Sequence, residues 1–233
     1  MSIPFPTTRR SIIVALSSSD ADVRERAFDT LVALYWKPLY KYARIAWRRS
    51  REDAEDLAQS FFARAFEKET LAAYDAKQAG FRTFLRLLFD RYASNEHKAE
   101  QRLKRGGGSV HLDFDAAEAE LGRDEECRSE TPEQFFQREW VRSVFALAVE
   151  RLRAASEAND FALFEAYDLE DDRSISYREL AARFGIAETT VTNRLAATRR
   201  RFRAIVLETL REVTATDHEF RLEARALLGV DAS

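Results

Sequence analysis

The chain has 233 residues, 45% of them apolar, and a formal net charge of −3. That length suggests one or two domains with material for a core, and the apolar share excludes a disordered polymer. No run of about 18 apolar residues is present, which excludes a membrane span, and Met1 to Ser11 lacks a signal-peptide core, so a cytoplasmic protein is expected. Cys127, the one cysteine, cannot make an internal disulfide and fits a reducing compartment. His97, His111 and His218 have no metal-ligand spacing, so neither a metal nor another cofactor is expected.

Seven glycines and four prolines, with Ala, Leu, Arg and Glu abundant, predict an all-α fold. Asp20 or Asp22 caps a helix from about Val23 that carries Ala27, Leu31, Leu34 and Tyr35. Pro38 is expected to break or kink it before the pattern resumes with Leu39, Tyr42, Ala43 and Trp47. Ser50 starts the next helix, with Asp53 as partner in a capping box. Its carboxylates Glu52, Asp53, Glu55 and Asp56 suit the helix dipole, and its apolar stripe is Ala54, Leu57, Ala58, Phe61, Phe62 and Phe66. Tyr74 to Gly80 reads as a loop. A helix of aromatic and basic character follows, from Phe81 to about Leu103, and Gly106-Gly107-Gly108 ends it.

From Leu112 to Glu133 there are nine carboxylates against two arginines, a net near −7. This stretch reads as a flexible acidic linker between two helical domains. Outside it the positive charge is clustered: Lys98, Arg102, Lys104 and Arg105 form one group, and an arginine run after residue 194 forms the other. The negative total therefore does not argue against a nucleic-acid partner. Further helices are expected over Glu133 to about Ala154 and over Phe161 to Leu169, and Asp217 is expected to cap a last one carrying Phe220, Ala224, Leu227 and Leu228.

Ser176 to Leu195 reads as a helix-turn-helix. One helix ends at Phe184, and Gly185 supplies the tight turn. Leu180, Phe184, Ile186, Val191 and Leu195 would face one another inside the unit. Such a unit lays its second helix in a DNA major groove. With Val191, Leu195, Thr198 and Phe202 as the buried stripe, a 3.6-residue period turns Thr189, Asn193, Ala196 and Arg200 outward, flanked by Thr190, Thr192 and Arg194. Short polar side chains there can reach base edges, and arginines can reach guanines or phosphates.

Asp53-Ala54-Glu55-Asp56-Leu57-Ala58-Gln59 followed by Phe61-Phe62-Ala63-Arg64 resembles the second conserved region of bacterial RNA polymerase sigma factors. Phe81-Arg82-Thr83-Phe84-Leu85, with Asn95 and the basic stretch from Lys98, is similar to the promoter-melting part of that region. Gly185-Ile186 and Val191-Thr192-Asn193-Arg194-Leu195 resemble the fourth region. Two such regions with no third between them resemble the extracytoplasmic-function (ECF) type. The resemblance implies an N-terminal segment over 1–22, region two over 23–105, the linker over 106–132, region four over 133–212 and a tail over 213–233.

It also implies partners. Core RNA polymerase would be held through its β′ clamp and β flap. The clamp would meet Asp53, Glu55, Asp56, Gln59 and Ser60. The melted downstream promoter element would meet Lys77, Phe81, Arg82, Phe84, Arg91, Tyr92, Asn95 and Lys98, with the flipped base at the loop 74–80. The upstream element would meet Thr189, Thr190, Thr192, Asn193, Arg194 and Arg200. Three positions depart from the pattern. Ser60 stands where a glutamate is frequent, which makes it a candidate phosphosite for a Ser/Thr kinase or a tolerated substitution. Ala187 stands where a capping serine is usual, and the leucine-proline turn ahead of region four is missing. The controller, a kinase or an anti-sigma factor, stays open, as does the tail, which could fold onto region four or dock a regulator. The acidic linker reads either as a phosphate mimic or as a solubilising tether. No nucleophile-base-acid set or phosphate loop argues for an enzyme. The alternative is a stand-alone helix-turn-helix regulator with an N-terminal sensing domain.

Overall fold

The computed structural model describes residues 12–16, 18–68, 70–100, 130–170 and 175–229, the side chains of 99 and 100 excepted. The acidic linker as far as residue 129, with Cys127, His111 and the basic cluster from Arg102 to Arg105, lies outside the described residues. The described residues are helical with no strand among them, so the protein is all-α. The chain divides into two compact units. One holds Met1–Ser143 and Leu210–Ser233, the other Val144–Thr209.

In the first unit, α1 (Ile12–Ala15) leads to α2 (Ala21–Ala46). Asp20 caps α2 by accepting hydrogen bonds from the backbone N–H groups of Asp22 and Val23. The helix is not broken at Pro38, so of a break or a kink the first does not occur. Leu34, Tyr35, Leu39, Tyr40 and Tyr42 are buried on both sides of Pro38, and this packing holds the turn that lacks a hydrogen bond. α3 (Arg51–Glu67) is capped by Ser50, whose hydroxyl accepts from Asp53 N at 3.1 Å. A 3₁₀ turn (Thr70–Ala73) and the loop to Gly80 lead into α4 (Phe81–Glu100).

α4 is fastened to α2 through one carboxylate. Asp90 accepts from Trp47 Nε1 at 2.9 Å, from Tyr42 Oη at 3.2 Å and from Arg86 at 3.0 Å. Burial pushes the Tyr42 hydroxyl up to about 12, against the opposing effect of its Arg86 hydrogen bond. Aromatic rings fill the space between these helices. Phe61 lies 5.2 Å from Phe89, edge to face, and Tyr42 lies 5.7 Å from Phe136 on α5 (Pro132–Ala155). Lys41 and Glu139 form a buried ion pair with Nζ 2.5 Å from Oε2.

In the second unit, α6 (Ala158–Phe164) runs into a π turn over Glu165–Leu169. α7 (Tyr177–Phe184) and α8 (Glu188–Glu212) follow. Leu152, Phe161, Leu163, Phe164, Leu180, Val191 and Leu195 form one buried cluster, with Phe184, Ile186 and Phe202 packed against it. Ser176 opens α7 with a reciprocal capping box: Glu179 N donates to its hydroxyl and Ser176 N donates to the Glu179 carboxylate. The last helix, α9 (Asp217–Leu228), belongs to the first unit and is capped by Thr216, not by Asp217.

Gly185 closes α7 in the left-handed region at φ 64°, with its N–H directed to the Ala181 and Ala182 carbonyls. A Cβ at this position would meet nothing within 4 Å, so the cost of a side chain there is backbone strain alone. Gly185→Val is expected to destabilise the second unit by about 1–2 kcal/mol, and Gly185→Asn by less. Thermal denaturation of the three proteins checks the order.

Candidate nucleic-acid interface

The start of α3 carries an acidic face over a sealed interior. Leu57, Phe61 and Phe62 are buried, as the apolar spacing predicts. Asp53 and Asp56 are exposed, and Glu55 is half-buried and ion-paired to Arg51 at 2.9 Å. Gln59 is half-buried. Ser60 is exposed one turn after Asp56, and its hydroxyl donates to the Asp56 carbonyl at 2.5 Å. Carboxylates in the first turns are favoured by the helix dipole, so this face needs no partner to exist.

Between α3 and α4 lies a groove of about 150 Å³ lined by Phe61, Arg64, Ala65, Thr70, Leu88, Arg91, Tyr92 and Asn95. It brings together three of the residues expected to meet the melted strand: Arg91, Tyr92 and Asn95. Arg64, which was not singled out for this role, lies with its guanidinium 5.8 Å from the centre of the Tyr92 ring. Its place three residues after Phe61 on α3, one turn along, was the available signal. Aromatic faces beside cations suit unstacked bases.

The other expected strand contacts are distributed differently. Lys77 is exposed at the tip of the loop, where Asp75 accepts from its backbone N–H at 2.9 Å. Lys98 is exposed near the end of α4. Phe84 is half-buried, 5.2 Å from the Tyr74 ring. Phe81 is 1% exposed, edge-on to Tyr74 at 5.2 Å and to Tyr35 at 6.1 Å, so its ring belongs to the core and offers no stacking face. Arg82 is half-buried with its guanidinium 4.4 Å from the centre of the Trp140 ring and paired to Glu223 at 2.9 Å. Trp140, Glu219 and Glu223 carry no sequence signal for this neighbourhood, because each lies far along the chain from the residue it meets. The loop itself is held by Tyr74, whose hydroxyl donates to the Ala79 carbonyl at 3.0 Å. Burial, then the Glu219 and Asp75 carboxylates, push that hydroxyl up to about 12.

In the second unit, α7, the Gly185 turn and α8 form the helix-turn-helix. Val191, Leu195 and Thr198 are buried and Phe202 half-buried, which leaves Thr189, Thr192, Asn193 and Arg200 exposed and Thr190 and Ala196 half-buried. The Ala187 carbonyl accepts from Thr190 N at 2.9 Å and Val191 N at 3.1 Å, with no side-chain cap available from alanine. The arginines differ in freedom. Arg194 is 3.3 Å from Asp160. Arg199 donates to both oxygens of Asp168 and lies 5.2 Å from the centre of the Tyr167 ring; the Asp168 hydrogen bonds hold its pKa above the usual arginine value. Arg201 donates to the Ala155 carbonyl at 3.0 Å. Arg200 and Arg203 are exposed.

The described residues thus hold a helix pair joined through the Gly185 turn in the second unit and a groove of aromatic and basic side chains in the first. Residues 11–207 match the family model described as ECF sigma factor, and the chain belongs to that family. Its role is therefore that of a DNA-binding sigma factor in transcription initiation, in a family that binds core RNA polymerase and promoter DNA. Comparison with curated proteins gives no significant match. Among the described residues no helix is long and apolar enough to cross a membrane, and no cluster of His, Cys, Asp or Glu could hold a metal ion.

Proposed function

We propose that the protein acts in the cytoplasm as a two-site promoter-recognition subunit, without catalytic activity of its own. Its regions follow the boundaries 23–105 and 133–212, joined by the linker 106–132. The acidic start of α3, with Asp53, Glu55, Asp56, Gln59 and Ser60, meets a basic surface on the β′ clamp, and region four meets the β flap. The groove residues Arg91, Tyr92 and Asn95, with Lys77, Phe84 and Lys98, take the unpaired strand of the downstream element. Phe81 supports this face from beneath, and Arg82 joins it when its ion pair is released. Thr189, Thr190, Thr192, Asn193, Arg194 and Arg200 read the upstream element in the duplex.

The observation that carries the reading is the pairing, within the first unit, of an exposed acidic helix start with a cation-aromatic groove. The first suits a protein partner of opposite charge and the second suits unstacked bases. Purified protein is expected to co-purify with the β′ subunit and to direct core polymerase to defined start sites on genomic fragments. The double variant Asp53→Lys/Asp56→Lys is expected to weaken core binding by about tenfold or more. Tight, dimeric binding of duplex DNA by the isolated protein, with no effect on core polymerase, would point to a stand-alone regulator.

Ser60 adds a control point, with an anti-sigma factor as the other candidate controller. Its exposed hydroxyl lies one turn from Asp56, and a phosphate there would add about −1.5 to −2 charge to the acidic face. Ser60→Glu is expected to bind core polymerase more tightly than Ser60→Ala in a pull-down titration; equal binding removes the switch and leaves the rest of the reading in place.

A further inference from the structure

The end of the loop and the start of α4 are covered by the protein's own tail. Glu219 on α9 accepts from the backbone N–H of Phe81 at 2.8 Å and from that of Ala215 at 2.9 Å. A Cβ on Gly80 would come 2.9 Å from the Glu219 Oε1 atom, so the missing side chain at Gly80 is what lets the carboxylate approach this closely. One turn further, Glu223 pairs with Arg82 at 2.9 Å, with 16% and 19% of the two side chains exposed. Phe220 and Ala224 are buried on the same side of α9, and the Arg211 guanidinium lies 3.8 Å from the centre of the Phe220 ring. Thr216 caps the helix and Gly229 ends it in the left-handed region, so α9 is a built element.

The groups engaged here are the ones a DNA strand would use. A free amide at a helix start and an arginine both seek phosphate oxygens. Two carboxylates on successive turns of α9 occupy both of them, and the buried Phe220 and Ala224 anchor those carboxylates in place. We propose that α9 is an intramolecular plug that competes with the unpaired promoter strand for the N-terminal end of α4, and that it must lift before the strand seats fully. This rests on the reading of the α4 face as the strand-binding surface. Because the plug is tethered, it acts at high effective concentration. The strand's apparent affinity is then reduced by the fraction of molecules in which the plug is open.

The test uses the reconstituted holoenzyme and a labelled single-stranded DNA pool of random sequence. Glu219→Gln/Glu223→Gln keeps the shape of both side chains and removes their charge. Its holoenzyme is expected to bind the pool about tenfold more tightly than the wild type. A second readout needs no variant: hydrogen exchange of the Asp217–Leu228 amides in the wild-type holoenzyme is expected to speed up when the DNA pool is added. A double variant that binds as the wild type does, or more weakly, overturns the plug and leaves the strand-binding face intact. So does α9 exchange that stays constant or slows on DNA addition, which is the outcome if the tail is only a brace. If neither holoenzyme binds single strands, the strand-binding face falls and the plug with it.

Discussion

Glu139→Ala is expected to destabilise the first unit by about 3–5 kcal/mol, because it removes the carboxylate paired with a buried ammonium. Lys41 is fully buried and Glu139 is 2% exposed, with 2.5 Å between Nζ and Oε2. Glu139 is shared, since Arg142 lies 2.5 Å from its other oxygen. Taking two charges from water is costly, and their attraction offsets this only while both are present. Replacing both partners with apolar residues, Lys41→Met with Glu139→Leu, is therefore expected to restore most of the loss. Urea unfolding of the single and double variants measures both effects. A single variant as stable as the wild type would show that the ammonium finds water or another acceptor at no cost.

Leu180→Ala is expected to destabilise the second unit by about 2–5 kcal/mol, while Leu180→Met costs less than about 1.5 kcal/mol. Leu180 is fully buried and shares its cluster with Val191 and Leu195, so the deletion opens a cavity where α7 meets α8. The packing that positions Thr189, Asn193 and Arg200 loosens with it. Circular dichroism melting checks the stability, and footprinting of the upstream element by the holoenzyme checks the consequence. Arg200→Ala is the complementary control: its side chain is exposed, so DNA affinity should fall while the melting temperature holds.

The helix pair on either side of Gly185 was legible in the sequence because its determinants are local. Gly185 marks a positive φ, and the spacing of Leu180, Val191 and Leu195 fixes which side faces in. The Ser176-to-Glu179 capping box, seen first in the structure, is equally local and has the S-x-x-E pattern as its signal. The face of α4 was only half legible. Phe81, Phe84, Phe89 and Tyr92 share one helix, but which ring is core depends on what covers each turn. Phe81 is covered by Tyr35 and Tyr74, whereas Tyr92 lines the groove. Periodicity does not report the pairing of Arg82 with Glu223, or of Lys41 with Glu139, since both join residues roughly a hundred or more positions apart. Pro38 does not end α2 for a related reason: propensity is a local quantity, and buried residues flank the proline on both sides.

The arginines of α8 bear on how binding should respond to ionic strength. Counted from the sequence, the run offers five cations to DNA. Arg194, Arg199 and Arg201 are already engaged with Asp160, Asp168 and the Ala155 carbonyl, whereas Arg200 and Arg203 are exposed. Each phosphate neutralised releases condensed counterions worth about 0.9 in the slope of log affinity against log salt concentration. If these two alone meet phosphates in the proposed upstream contact, this run is expected to contribute a slope of roughly two phosphates' worth, which a salt titration of promoter binding measures.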